Sequence, residues 1–289
     1  MARPRHLRPM LASTAEQLPE GEGWLYELKL DGYRIVAETG DAEPRLWSRG
    51  GHDYAARFPE VAAGLSAAVP DRTILDGEVC ALDEQGRPRF QLLQSGAGAR
   101  VYYVFDLLEV DGVSTRELPL SERRLLVEEH VAESPVVRIS HTYDDGPWLL
   151  DQARRLGLEG VMAKRAGSRY RPGARSADWV KLKLRDRGAF VICGYTAGTG
   201  SRAELGALVL GEHSGDGLRW VGETGTGFTA AEVDRLLAAL RPLARRRPTV
   251  ERPAKGVVTW VDPVLSCEVE FTERTRDGRL RAPTYLRMV

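Results

Sequence analysis

The sequence is poor in cysteine, has no long hydrophobic run and carries no net charge. Its three cysteines, Cys80, Cys193 and Cys267, are widely separated and form no CxxC pair, which argues against both a zinc site and a disulfide framework. No apolar stretch approaches the length of a membrane span, and no signal-peptide segment follows the basic amino-terminal residues. We therefore expect a cytoplasmic protein that does not enter a membrane.

Charge and composition set further limits. Lys plus Arg equals Asp plus Glu at 41 each, so any nucleic-acid partner must be bound by local basic patches rather than by the whole-molecule charge. The 289 residues, 43% hydrophobic and 28% charged, are sufficient for one large or two medium cores.

The hydrophobic pattern changes near residue 187. Before this point, strand patterns mixed with helical ones predict an α+β domain rather than regular βαβ units. After it, short strands with glycine-rich turns and one helix predict a small β-barrel. We predict two domains, residues 1–187 and residues 188–289.

Charged residues recur at every second position in several predicted strands. In "YELKLDGYRIV", alternation places Glu27, Lys29 and Asp31 on one face and the intervening leucines on the other. The same period occurs in "ILDGEV", residues 74–79, and in "WVKLKL", residues 179–184. Such faces line a cleft or form the solvated side of an antiparallel sheet, and the pattern alone allows both interpretations.

The identities of these residues are more informative than their period. Residues 27–34 form an ExKxDGxR signature, and further motifs follow in order: "SRGG" (48–51), "LDGEV" (75–79), "YYVFDLL" (102–108), "EGVMAKR" (159–165) and "WVKLKL". This set resembles the nucleotidyltransferase motifs of ATP-dependent DNA ligases and their relatives, and is most similar to the ligase module of bacterial non-homologous end-joining ligases. The resemblance implies an α+β adenylation domain with antiparallel sheets and flanking helices, followed by an OB-fold barrel.

The resemblance also implies a mechanism. Lys29 would attack the α-phosphorus of ATP, carry AMP as lysyl-AMP, and pass it to a DNA 5′-phosphate that is then sealed to a 3′-hydroxyl. An ammonium is not a nucleophile, so burial or nearby cations must favour the neutral amine. We expect the nearby positive charge to come from Lys181, Lys183 and a divalent metal. These cations would also neutralise phosphate charge.

Mg²⁺ or Mn²⁺ is the expected metal, because hard cations prefer carboxylate oxygens. The candidate ligands are Glu78, Glu159 and Asp31, with a ribose contact as the alternative for Glu78. By resemblance, Phe105 stacks on adenine, and Met162 or Val161 packs on its other face. The implied nucleotide-binding set is Glu27, Lys29, Arg34, Arg49, Glu78, Phe105, Met162, Lys181, Lys183 and Arg281.

In this set, a group near Glu27 would recognise the exocyclic amine of adenine, and Arg34 and Arg49 would contact ribose and phosphate. Gly32 and Gly50 would let the backbone approach the ligand. Arg281 is expected to take the place of the basic residues in a carboxy-terminal RxDK motif, because no lysine follows Lys255. By resemblance, the second domain would move about a hinge near residues 186–188.

Nicked or broken double-stranded DNA is the expected substrate, and "RPLARRRP" and "KLKLRDRG" could contact its phosphates. The ExKxDGxR motif starts early in the chain, so we expect no large DNA-binding domain ahead of it. The chain should then act as a nucleoid-associated monomer that binds nicks weakly, with help from a Ku-type end-binding protein and a separate end-processing polymerase or nuclease.

Three other functions stay open at this point. Inside the same superfamily, the chain could be an RNA ligase or a capping-type nucleotidyltransferase that uses GTP. Outside it, the chain could be a non-catalytic module that binds DNA ends. The presence of Lys29, Glu78 and Glu159 favours an enzyme, because loss of catalysis usually removes such residues first.

Overall fold

The computed structural model describes residues 6–40, 43–198, 204–215, 217–251, 256–275 and 277–289. The chain divides into two compact units, Met1–Leu184 and Arg185–Val289. This division falls three residues before the predicted domain boundary, which stays a prediction. Among the described helices, none has the length and apolar content needed to cross a bilayer.

The first unit is built on two sheets. Its described strands are β1 (Leu11–Thr14), β2 (Trp24–Leu28), β3 (Tyr33–Glu38), β4 (Arg45–Ser48), β5 (Ile74–Leu82), β6 (Ala99–Val110), β7 (Val113–Ser114), β8 (Val137–Ile139), β9 (Gly160–Arg165) and β10 (Arg175–Lys183). One sheet has the order β1-β10-β9-β2, and the other has the order β4-β3-β5-β6-β7 with β8 beside β6. All pairings are antiparallel except β1 with β10 and β6 with β8, which agrees with the predicted α+β class.

Four helices cover these sheets: α1 (Pro59–Ala68), α2 (Phe90–Ser95), α3 (Leu120–His130) and α4 (Gly146–Arg155). A proline and a capping side chain mark the starts of two of these helices. Pro59 opens α1 at its first turn, where a missing N–H costs nothing. The Asp145 side chain caps α4 by accepting a hydrogen bond from the Trp148 N–H at 2.8 Å.

Separate hydrophobic clusters fill the first unit. One packs α1 and α3 on the six-stranded sheet, and a second packs α4 on the four-stranded sheet. A third cluster holds Met10, Phe105, Leu108, Tyr170 and Trp179. Because Phe105 belongs to β6 and Trp179 to β10, this third cluster joins the two sheets.

The second unit is a β-rich domain with one described α-helix, α5 (Ala230–Leu240). Thr229 caps α5 by accepting from the Glu232 N–H at 3.2 Å, as the sequence "TAAE" predicts for a helix start. Its described strands are β11 (Asp186–Thr196), β12 (Ala207–Ser214), β13 (Gly217–Thr224), β14 (Ala244–Arg245), β15 (Val258–Val261), β16 (Ser266–Phe271), β17 (Glu273–Arg274), β18 (Leu280–Arg281) and β19 (Thr284–Met288).

Strand β11 is central to the second unit. It pairs with β12 along one side, while β15 and β16 share its other side at opposite ends. Strand β16 continues to β19, and α5 packs into the same core cluster. This arrangement accords with the predicted OB-fold barrel.

All three cysteines are buried free thiols. Burial raises the pKa of Cys193 to about 11 and that of Cys267 to about 12, and it raises the pKa of Cys80 well above its usual value. No disulfide joins any two of them.

Candidate active site

A pocket lies between the two sheets of the first unit, beside the cluster that joins them. We call it the intersheet pocket. Its lining comes from both sheets and from the segments between their strands: Leu11, Ala12, Glu27, Leu28, Lys29, Leu30, Arg34, Arg49, Glu78, Phe105, Ser140, Met162, Lys164, Arg175 and Lys181. Eight of the ten residues expected to bind nucleotide are therefore brought together here.

The predicted alternation holds within β2, where Tyr26 and Leu28 pack in the cluster beneath α4 while Glu27 pairs with Lys164. Strand β2 ends at Leu28, so Lys29 and Leu30 lie beyond it, and four consecutive residues from Glu27 to Leu30 all line the pocket. Alternation of faces holds only while the backbone stays in a strand, so it does not extend to Lys29 and Leu30. Asp31 follows outside the pocket lining.

Two glycines hold the segment after β2 in place. A Cβ on Gly32 would lie 2.1 Å from the Val79 carbonyl oxygen of β5. A Cβ on Gly160 would lie 2.0 Å from the Leu182 carbonyl oxygen of β10, and Gly160 has a φ of 146°. The close approach of Gly32 to its own strand β5 is a requirement for glycine that the sequence did not show, and the predicted approach to a ligand stays a prediction.

Lys29 lies at the centre of a charged group. Its Nζ contacts Oε2 of Glu159, and its backbone N–H donates to the Gly160 carbonyl at 2.9 Å. The other oxygen of Glu159 lies 2.7 Å from Nζ of Lys183. Burial alone would raise the pKa of Glu159, but Lys29 and Lys183 outweigh burial and the pKa is lowered.

Lys181, two positions before Lys183 on β10, is the last member of this charged group. Burial lowers the pKa of Lys181, and the positive charges of Lys183 and Lys29 lower it further. The sequence prediction that Lys181 and Lys183 share one face near Lys29 agrees with this arrangement.

Glu78 is the second carboxylate near Lys29. It lies opposite Arg34 in the β3–β5 register and lines the pocket. Burial raises the pKa of Glu78 to about 7, with Arg34 and Lys29 opposing the rise and Glu159 adding to it. Among the residues that the structure describes, no three His, Cys, Asp or Glu side chains form a group able to hold a metal ion.

In the aromatic part of the pocket, Phe105 lies close to two cationic side chains. Phe105 is 7% exposed, and its ring centroid lies 4.4 Å from the Arg34 guanidinium carbon and 4.1 Å from Nζ of Lys164. Met162 lines the pocket, whereas Val161 is buried in the core beneath α4. Of the two alternatives for the second face of the base, Met162 is therefore the one in position.

Lys164 is a pocket residue that the sequence analysis missed. It is 2% exposed, and its Nζ lies 2.8 Å from each carboxylate oxygen of Glu27. Burial lowers the pKa of Lys164 and Glu27 only partly offsets this effect. One signal could have found it: of the 41 basic residues, 36 are arginine and five are lysine, so each lysine is notable.

Four of those five lysines belong to this site, and the fifth, Lys255, lies outside the described residues. Arginine cannot substitute where a neutral amine is needed, because its guanidinium stays charged in proteins. Arg281, the remaining predicted nucleotide ligand, lies in the second unit, where it pairs with Glu273 at 2.6 Å.

Comparison with known proteins agrees with this geometry. Residues 9–183 match the model of the ATP dependent DNA ligase domain, and residues 201–288 match the ATP dependent DNA ligase C terminal region. The chain belongs to the ATP-dependent DNA ligase family. The predicted membership, the enzyme class and the pairing of an adenylation domain with an OB-fold domain are confirmed.

Individual relatives sharpen the comparison. The chain is 45% identical to the multifunctional non-homologous end joining protein LigD of Pseudomonas aeruginosa over 98% of its own length and 35% of that protein. The crystal structure of the ligase domain from Mycobacterium tuberculosis LigD is 33% identical, with a TM-score of 0.59 over 98% of this chain and 95% of that one. The chain spans little more than a third of the length of the curated LigD relatives.

Proposed function

We propose that this ATP-dependent DNA ligase uses ATP to seal breaks that carry a 5′-phosphate and a 3′-hydroxyl, with Lys29 as the nucleophile. The observation that carries the proposal is the position of Lys29 in the intersheet pocket, in contact with Glu159 and near Lys181 and Lys183. The sequence similarity to LigD proteins supports a role in end joining.

The first chemical step follows from these groups. The Lys29 Nζ forms a bond to the α-phosphorus of ATP, and the bond from that phosphorus to the bridging oxygen breaks as pyrophosphate leaves. The Lys29 ammonium must first lose a proton. Glu159 stabilises the ammonium before nucleotide arrives, while Lys181 and Lys183 oppose it and attract the phosphates.

AMP then passes from Lys29 to the 5′-phosphate of the DNA. In the final step the 3′-hydroxyl attacks that phosphate, a new phosphodiester bond forms, and AMP leaves. The lysines that bind phosphate in the first step are placed to neutralise charge in the later ones.

The adenine would occupy the aromatic part of the pocket. Phe105 and Met162 supply apolar contact area, and the Glu27–Lys164 pair supplies one acceptor and one donor group. In this arrangement the Glu27 carboxylate would accept from the adenine amino group and Lys164 would donate to a ring nitrogen. Arg34 and Arg49 remain our candidates for ribose and phosphate contacts.

Mg²⁺ or Mn²⁺ is the proposed metal, and Glu78 and Glu159 are its proposed ligands. Both are carboxylates beside Lys29, and burial raises the pKa of Glu78 to about 7. Because the protein supplies few carboxylates here, phosphate and water would complete the coordination. When bound, the cation would neutralise phosphate charge. Asp31 lies outside the pocket lining and is our weakest candidate.

We propose that the substrate is broken double-stranded DNA and that the protein acts on it at the nucleoid in the cytoplasm. A Ku-type end-binding protein and an end-processing polymerase or nuclease are the proposed partners, because the multifunctional relatives are named for non-homologous end joining. We propose that the ligase works as a monomer. Equal nick affinity and turnover with and without a Ku-type protein would count against that partnership.

The decisive experiment is incubation with ATP labelled at the α-phosphate and Mg²⁺ or Mn²⁺, followed by denaturing electrophoresis. We expect wild-type protein to retain label from ATP but not from GTP or NAD, and Lys29→Ala to retain none. Arg165→Ala is the matched control, because Arg165 lies on β9 beside Lys164 but stacks on Trp24 outside the pocket. Labelled wild type would then be tested for sealing of nicked DNA and of nicked RNA.

Label from GTP alone would favour a capping-type enzyme, and sealing of RNA alone would favour an RNA ligase. A folded wild-type protein, free of pre-bound AMP, that takes no label under any condition would overturn the enzymatic proposal. It would favour a module that only binds DNA ends.

A further inference from the structure

Four residues close a ring of hydrogen bonds beside the intersheet pocket. Asp76 accepts from Nε and Nη2 of Arg34, both at 2.6 Å, and from the Tyr170 hydroxyl at 2.5 Å. The Tyr170 oxygen accepts from the Met10 N–H at 2.9 Å. The Met10 carbonyl accepts from Nη2 of Arg34 at 3.4 Å, which completes the ring.

Three of the four ring members are shielded from water, and the side chain of Arg34 is 21% exposed. Asp76 and Met10 are 0% exposed and Tyr170 is 2% exposed. Hydrogen bonds to an ionised carboxylate are stronger than neutral ones, and a buried group that loses its partner keeps the full cost of desolvation. Removing one link should therefore shift the remaining members rather than leave them in place.

The ring joins two parts of the pocket lining. Met10 directly precedes Leu11 and Ala12 of β1, and both of these residues line the pocket. On its other side, Arg34 lines the pocket and stacks on Phe105. Tyr170 does not line the pocket, but its hydroxyl bridges the Met10 backbone and the carboxylate that holds Arg34.

We propose that the Tyr170 hydroxyl is a positioning group for nucleotide binding: it sets the β1 wall of the pocket relative to Arg34 and Phe105. This proposal rests on the proposed function, since it takes ATP as the ligand of the pocket. Lys29 and Glu159 are connected to the ends of β2 and β9 and are not members of the ring. Tyr170 should therefore affect the affinity for ATP more than the rate of the chemical step.

The test is Tyr170→Phe, which removes only the hydroxyl. Equilibrium binding of ATP is measured in EDTA, and single-turnover labelling is measured with Mg²⁺ at saturating α-labelled ATP. We expect the Kd for ATP to rise about tenfold, as for loss of one buried hydrogen bond to a charged group. The labelling rate at saturation should stay within about threefold of wild type.

Tyr102→Phe is the matched control. The Tyr102 side chain is 0% exposed and its hydroxyl donates to the Ile35 carbonyl at 3.0 Å, but Tyr102 does not line the pocket or belong to the ring. Tyr170→Phe loses two buried hydrogen bonds and Tyr102→Phe loses one in the same unit, and urea denaturation of each reports the loss of stability. Only Tyr170→Phe should weaken ATP binding.

An unchanged Kd in Tyr170→Phe would overturn the proposal, and so would equal weakening in Tyr102→Phe. Wild-type protein that does not bind ATP would overturn both this proposal and the proposed function. Wild-type protein that binds ATP without becoming labelled would overturn only the proposed function. The comparison of Kd values would then still decide the role of Tyr170.

Discussion

The two ends of strand β9 each take part in a lysine–glutamate contact with β2 or the residue after it, but the two contacts have different surroundings. At one end, Glu27 and Lys164 are 3% and 2% exposed and pair with each other, and Lys164 lies close to the rings of Phe105 and Trp179. At the other end, Glu159 is shared between Lys29 and Lys183, which are 18% and 34% exposed. We call these the closed end and the open end.

The difference shows how one pair of strands can serve structure and chemistry together. At the closed end, burial lowers the pKa of the lysine, Lys164. At the open end, two lysines outweigh burial and lower the pKa of the carboxylate, Glu159. A buried one-to-one pair is costly to break, whereas an open group with excess positive charge can accept a phosphate.

Replacement of a lysine should lower the free energy of unfolding much more at the closed end than at the open end. Lys164→Met leaves the Glu27 carboxylate buried without its partner, and we expect the free energy of unfolding to fall by about 3–5 kcal/mol. Lys183→Met at the open end should lower it by less than about 1 kcal/mol. Urea denaturation of the full chain measures both, and equal losses would mean that the two ends do not differ as described.

Loss of the shared carboxylate should affect catalysis rather than folding. Glu159→Gln removes the negative charge from between Lys29 and Lys183, and we expect the single-turnover rate of lysine labelling to fall about 100-fold. The control is Glu212→Gln in the second unit, because Glu212 likewise bridges two cations, Arg219 and Arg274. A labelling rate near that of wild type in Glu159→Gln would show that Glu159 has no catalytic part.

The pH dependence of stability should distinguish Glu78 from the lysine–glutamate contacts at the closed and open ends. Its pKa is raised from 4.5 to about 7, so between these values the folded chain binds more protons than the unfolded chain, and stability falls as pH rises. We expect wild type to lose about 2 kcal/mol relative to Glu78→Gln between pH 5 and pH 8. Urea denaturation in EDTA across this range provides the measurement, and a constant difference would contradict the assigned shift.

Much of this site could be predicted from sequence because its motifs are local. Lys29, Glu78, Lys181 and Met162 each lie in a short motif, and the strands that carry these motifs converge on one pocket. Period two also correctly placed Lys181 and Lys183 on one face of their strand, since β10 stays extended as far as Lys183.

Long-range pairing could not be read in the same way. The partner of Glu27 is 137 residues away, and the partner of Tyr170 is 94 residues away in Asp76. Register and burial decide these contacts, and the sequence shows neither. The close approach of Gly32 to the Val79 carbonyl of β5 is another long-range contact that the sequence does not show.

The buried cysteines allow each unit to be monitored independently. Cys80 belongs to the first unit, whereas Cys193 and Cys267 belong to the second, and all three are shielded thiols of raised pKa. An alkylating reagent can react only when the surrounding structure opens, because it needs an exposed thiolate. Peptide-resolved alkylation rates would thus follow the local opening of the nucleotide-binding unit and of the β-barrel unit in the same unmodified protein.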